Sequence, residues 1–115
     1  PVGEEALNPD EVDFDLKLCE AILEGYLSVA QGFLSDWDLH YLPDCIRLIP
    51  LELGLRFLTD HLEGDVYFRS TGSGHNLHRA AVQFQLTRSI ETQMPAIRSL
   101  VDRLTSELTS QTAQV

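Results

Sequence analysis

Apolar residues recur at intervals of three and four along most of the chain, and the pattern divides it into helical segments. Phe14, Leu18, Ile22, Tyr26, Ala30 and Phe33 form one line. Leu16, Cys19, Leu23, Leu27 and Leu34 run beside it, with Lys17, Glu20, Glu24 and Gln31 opposite. This spacing predicts a helix with a wide buried stripe. Asn8-Pro9-Asp10-Glu11 supplies its start, since Asn8 suits a cap and Pro9 a first helical position; Asp13 is a second candidate cap. Gly32 is expected to end it. Ser35, with Asp38 three residues on, predicts a reciprocal capping box for the next helix. Pro43 should cut that helix short and sit in the first turn of the succeeding segment.

From Asp44 to about Leu62 the apolar positions leave almost no polar face: Ile46, Leu48, Ile49, Leu51, Leu53, Leu55, Phe57, Leu58 and Leu62. A helix apolar nearly all round is expected to be central and covered on most sides. Pro50 falls inside it and should kink or divide it. Glu63-Gly64-Asp65 ends the run, Val66 to Arg69 is a short apolar piece, and Ser70 to Gly74 reads as a flexible loop. Helical spacing returns from His75 to about Gln111, with a kink or a split expected near Met94 because of Pro95; Thr109 to Val115 should fray. No stretch alternates as a half-buried strand does. The expectation is a single all-α unit over residues 1–115, a compact helical bundle around the central apolar helix.

Composition agrees with a folded chain: of the 115 residues 43% are apolar and 23% charged, close to the globular norm. Two cysteines, Cys19 and Cys45, are too few for a disulfide scaffold. No apolar run approaches the roughly 20 residues needed to cross a bilayer. The net charge of −10 opposes binding to nucleic acid or an anionic membrane. Pro1 to Glu5 does not read as a secretory leader, so a cytoplasmic location is expected. The one methionine is Met94, and the missing initiator suggests a chain processed or cut from a longer protein. Charge is uneven, with 15 acids against three bases in residues 1–65 and five bases against three acids in residues 66–115. The two halves would attract each other, or face a third surface, or present unrelated solvated faces; the last is favoured.

Most candidate chemistry dissolves on inspection. Asp13-Phe14-Asp15 looks like a metal-binding motif but runs straight into a helical pattern, where acids suit the helix dipole. His75 and His78, with Asp60, His61 and Asp65 nearby, match no metal-ligand spacing and read as capping and packing residues, so no metal site is expected. Cys19 and Cys45 lie on apolar runs, where a thiol behaves as a small hydrophobe. Gly72-Ser73-Gly74 lacks the strand and lysine of a phosphate-cradling loop. Only Glu52, Arg56 and Asp60 remain, four apart and therefore on one face of an otherwise apolar helix. Such a line either knits the helix to a neighbour or lines a polar pocket, and spacing alone favours neither.

Around that line lies a specific run, Leu53-Gly54-Leu55-Arg56-Phe57-Leu58-Thr59-Asp60-His61-Leu62-Glu63-Gly64-Asp65-Val66-Tyr67-Phe68. It resembles the C-terminal part of aminoglycoside-phosphotransferase-like small-molecule kinases, in the branch that includes N-acetylhexosamine 1-kinases. Glu24-Gly25-Tyr26-Leu27 resembles that branch's helix ending in Gly-Tyr-Leu. His75-Asn76-Leu77-His78-Arg79-Ala80, with Gln83 and then Ser89-Ile90-Glu91, resembles a further segment. Together the likeness covers roughly residues 12–95.

The resemblance implies the helical, substrate-side subdomain of a sugar or amino-sugar kinase-like phosphotransferase. The parent's nucleotide-binding lobe, catalytic His-Gly-Asp loop and metal-binding Asp motif would precede this segment, and ATP and Mg would belong to them. Neither His40-Tyr41-Leu42-Pro43-Asp44 nor His61-Leu62-Glu63-Gly64-Asp65 reproduces the catalytic loop, so no catalytic residue is expected here and the chain alone should not phosphorylate anything. By the same resemblance Arg56 would hydrogen-bond sugar hydroxyl or acyl oxygens, and Tyr67 would pack on or bond to the sugar. Phe68 stands where that branch can carry a larger aromatic. Glu52 and Asp60 would orient Arg56. The partners implied are a sugar-like substrate and the absent N-terminal lobe. The alternative is a stand-alone helical interaction module that self-associates through its apolar central helix.

Overall fold

Two carboxylates, Asp13 and Asp15, and one proline decide how the chain enters its first helix. In the computed structural model, which describes residues 8–30, 32–68 and 74–113, Asn8 does act as a cap. Its side chain accepts from Asp10 N at 3.0 Å, but the structure it caps is a single 3-10 turn, Pro9–Glu11. The helix proper, α1 (Leu16–Ala30), starts later. Its cap is Asp15, whose side chain accepts from Leu18 N at 3.0 Å, rather than the expected Asn8 or Asp13. Asp13 instead accepts a hydrogen bond from the Ser89 hydroxyl, which in turn accepts from Phe14 N at 2.8 Å. That serine is buried and fastens residues 13 and 14 onto α3 (His75–Thr92).

The capping box forms as expected: Ser35 N donates to Asp38 Oδ2 at 2.9 Å and Asp38 N to Ser35 Oγ at 3.2 Å. The helix it opens is not cut short. α2 runs unbroken over Asp36–Leu62, passing both Pro43 and Pro50. Each proline removes only one i→i−4 bond, and the bonds on either side carry the helix through. Both proline rings are buried, which offsets part of the loss.

α2 closes where Glu63-Gly64-Asp65 predicts. Gly64 N donates to His61 O and Asp65 N to Asp60 O, the paired reverse bonds of a Schellman ending. Gly64 (φ +96°) and Asp65 (φ +62°) both take left-handed backbone to make them. Residues 69–73, and with them most of the expected loop, lie outside the described residues. The last two helices separate near Met94 as Pro95 implies. α3 ends at Thr92 and α4 spans Met94–Ala113, so Pro95 falls in a first turn, where no intrahelical bond is lost. The described residues are all helix, turn and coil; the class is all-α.

These elements form two compact units. One takes in the described residues up to Phe14 together with Ile46–Glu91; the other takes in Asp15–Cys45 together with the described residues from Thr92. In the second unit α1 packs on α4, burying Leu23 and Leu27 on one side and Ile97, Leu100, Val101 and Leu104 on the other. Only one of the two predicted apolar lines of α1 is therefore core. Leu18, Ile22 and Tyr26 of the other line are exposed, because a single neighbouring helix covers a single stripe. Here two cross-attractions between the acidic and basic parts of the sequence are realised: Arg98 meets Asp44 at 3.0 Å, and Arg103 meets Glu20 at 2.9 Å.

In the first unit Phe57, Ala80, Val82 and Ile90 are buried. Gly54 of α2 lies so close to α3 that a Cβ there would sit 2.7 Å from Phe84 Cε1. The expectation that this half of α2 is covered on most sides is corrected. Pro50, Gly54 and Phe57 form one buried stripe, while Leu48, Ile49, Leu55 and Leu62 are exposed.

Candidate functional site

The last three turns of α2 and the segment beyond it build one groove of about 460 Å³. Glu52, Arg56 and Asp60 arrive on its wall by their four-residue spacing. Tyr67 and Phe68 arrive because the left-handed pair Gly64-Asp65 turns the chain back alongside the helix it has just left. All five residues singled out from the sequence therefore line the same groove, with Leu55, Thr59 and Glu63.

The turn-back is held by one carboxylate. Asp60, only 2% exposed, accepts from Tyr67 N at 2.6 Å and from Phe68 N at 2.9 Å. It also accepts from Asn76 Nδ2 at 2.9 Å, and the same nitrogen reaches Asp65 Oδ1 at 3.0 Å. Asn76 is fully buried in the first turn of α3, and its Oδ1 accepts from Arg79 Nη1 at 3.2 Å. The Arg79 guanidinium stands over the Phe57 ring, 5.4 Å from its centre. Phe57 in turn meets Phe68 at 4.6 Å between ring centres, and Phe68 meets Tyr67 edge-on at 4.9 Å. Buried carboxylates persist where charge-assisted hydrogen bonds replace lost water, and among the described residues Asp60 has three such bonds.

This corrects the expected supporting pair. Glu52 does pair with Arg56, at 2.9 Å, but in the open: the two side chains are 67% and 61% exposed. Asp60 does not serve Arg56; its oxygens are taken up by the backbone it positions and by Asn76. The residues that sequence reasoning missed are Asn76 and Asp65. A Gly-Asp pair directly after a helix is a recognisable helix-stop signal, but its link to an asparagine eleven residues on needs the fold.

In chemical terms the groove offers an exposed Glu–Arg pair with hydrogen-bond donors and acceptors, and two aromatic rings that present apolar surface. Thr59 contributes less, because its hydroxyl already donates to Leu55 O. His75 and His78 begin α3 outside the groove lining. Among the described residues no three His, Cys, Asp or Glu side chains gather as a metal site would require. Both cysteines are free thiols; Cys19 is half-buried and Cys45 exposed. Burial pushes the Cys19 thiol above its ordinary value. No helix among the described residues is long and apolar enough to cross a membrane. No model of a known protein family matches the chain.

Proposed function

We propose that this chain is the acceptor-binding helical part of a phosphotransferase acting on a sugar or amino-sugar, with the groove beside Arg56 as the acceptor site. What supports the reading is the convergence of Glu52, Arg56, Asp60, Tyr67 and Phe68 on one groove. These are the positions at which the kinase-like resemblance expects sugar contacts and their support. Arg56, oriented by Glu52, binds acceptor oxygens; Tyr67 and Phe68, fixed through Asp60, pack on the ring. Phosphoryl transfer itself requires a base and metal-held phosphates supplied from outside these residues. The test is a titration of the chain with an N-acetylhexosamine panel, followed by amide NMR. Shifts are expected at Tyr67 and Phe68 that saturate, and that disappear in Arg56→Ala. No saturable shift with any sugar rejects the reading.

A second reading, a helical module that pairs with another copy of itself, is favoured by one observation. Leu18, Ile22, Tyr26 and Val29 are all exposed on a single face of α1, whereas a lone helix in a monomer usually shows water a polar face. The face on α1 is a second candidate surface for self-association beside the central helix, where Leu48, Ile49, Leu55 and Leu62 are also exposed. Sedimentation of Ile22→Glu beside the unaltered chain tests it: a dimer that the glutamate dissolves supports the reading, and a monomer at all concentrations removes it.

A further inference from the structure

Within the unit that contains Asp15–Cys45, three aromatic side chains gather at the start of α2, on the surface rather than in a core. Trp37 and Tyr41, one turn apart, have ring planes 14° from parallel and centres 6.1 Å apart. His40 stands edge-on to both, 4.9 Å from Tyr41 and 6.4 Å from Trp37. Trp37 is 71% exposed and Tyr41 50%. Large aromatic surfaces left in water are where binding energy concentrates when a partner covers them.

His40 also borders a cleft of about 350 Å³ between α2 and α4, whose wall carries Asp36, Asp102, Thr105 and Ser106. Asp36 sits in a first helical turn, where the helix dipole alone favours an acid. The dipole accounts neither for Asp102, in the body of α4, nor for the exposed rings. Asp38, next to Trp37, adds a third negative charge although its Oδ2 accepts from Ser35 N. Arg103, beside Asp102 in sequence, turns its guanidinium to Glu20 and Glu107.

We propose that this face binds an arginine side chain of a basic peptide segment. The guanidinium enters the cleft between Asp36 and Asp102, and Trp37 and Tyr41 cover the flanking peptide. A planar cation that both stacks on rings and forks onto carboxylates fits the two halves of the surface at once. Lysine supplies the charge without the plane. A neutral sugar would leave the carboxylates without counter-charge. A second copy of this chain, meeting the same patch about a two-fold axis, would set Asp36, Asp38 and Asp102 against their own images.

Trp37 is the only tryptophan in the chain, so its emission reports on this face alone. The whole chain is titrated with hexa-arginine amide, hexa-lysine amide and hexa-glutamate, each read by that emission. The expected result is a saturable change with hexa-arginine, weaker by about tenfold with hexa-lysine and absent with hexa-glutamate. The double variant Asp36→Asn with Asp102→Asn, two near-isosteric changes at exposed positions, should weaken the arginine peptide by about tenfold. Salt at about 0.5 M should weaken it as well. The proposal is overturned by the absence of a saturable change with hexa-arginine, or by unchanged affinity in the double variant. It is equally overturned if emission shifts with the chain's own concentration as a dimer forms, which would assign the face to a second copy.

Discussion

One amide nitrogen of Asn76 donates to two carboxylates, Asp60 Oδ2 at 2.9 Å and Asp65 Oδ1 at 3.0 Å. The first sits in the last turn of α2 and the second just beyond its end, while Asn76 lies in the first turn of α3. A single buried donor therefore ties the exit of one helix to the entry of the next. The groove-lining residues Tyr67 and Phe68 lie on the segment in between. Because Asp60 also binds their backbone N–H groups, the floor of the groove and the helix junction share one polar centre.

Removing that donor should be costly. Asn76→Ala leaves a buried carboxylate short of a partner, and truncations of this kind cost about 2–4 kcal/mol. Asp60→Ala should cost a similar amount, since two backbone donors and Asn76 lose their acceptor. In urea unfolding the double variant should cost clearly less than the sum of the two, because both changes break the same contact. Strict additivity would show that the two residues act separately.

Arg56 should behave in the opposite way. Its ion pair with Glu52 is largely exposed, and such pairs contribute about 0.2–1 kcal/mol. Arg56→Ala should therefore leave the unfolding midpoint nearly unchanged while abolishing sugar-induced shifts at Tyr67 and Phe68. A large loss of stability would mean that Arg56 is a structural residue, and would remove it from the acceptor site.

How far the sequence reveals this arrangement depends on whether the deciding interaction is local. The Ser35–Asp38 box, the stop at Gly64-Asp65 and the break before Pro95 are contacts within a few residues, and each is readable from spacing. Which apolar line of α1 is buried is not local. Both lines are equally apolar, and only the position of α4 selects Leu23 and Leu27 over Leu18 and Ile22. The prolines mislead for a related reason, since the loss of one bond at Pro43 or Pro50 is small against the packing that retains the whole helix. At the groove, the spacing of four correctly put Glu52, Arg56 and Asp60 on one wall. The resemblance also implied that Asp60 orients Arg56. Its real partners are backbone groups seven and eight residues later, reachable only because Gly64 and Asp65 adopt left-handed backbone.

Two glycines should respond in opposite directions to the same change. At Gly54 an added methyl meets Phe84 Cε1 at 2.7 Å and Gln83 Cβ at 3.2 Å. Gly54→Ala should thus destabilise by about 1–3 kcal/mol through overpacking, outweighing the roughly 1 kcal/mol that alanine gains in a helix. Trimming the obstacle with Phe84→Leu should recover part of that loss. Gly25, inside α1, has nothing within 4 Å of such a methyl. Gly25→Ala should stabilise by about 0.5–1 kcal/mol. Thermal unfolding of the two variants side by side decides the matter, and stabilisation by Gly54→Ala would show that the α2–α3 contact is loose enough to admit a methyl.

The two thiols should separate in reactivity and in pH response. Cys45 is exposed, whereas Cys19 is half-buried and its thiol is held above its ordinary value by loss of water. Thiolate is the reactive form, so an aromatic disulfide reagent near neutral pH should label Cys45 quickly and Cys19 slowly. Unfolding in urea should bring the two rates together. The sign for stability follows from linkage. The folded state favours the protonated thiol, so the contribution of Cys19 is fully present below the ordinary thiol value near 9. It is lost as pH rises above that value, through the raised one in the folded chain. Stability of the unaltered chain should therefore fall with rising alkalinity more steeply than that of Cys19→Ala, measured as the pH dependence of the urea midpoint. Equal slopes, or faster labelling of Cys19 than of Cys45 in the folded chain, would contradict the burial of this side chain between α1 and its surroundings.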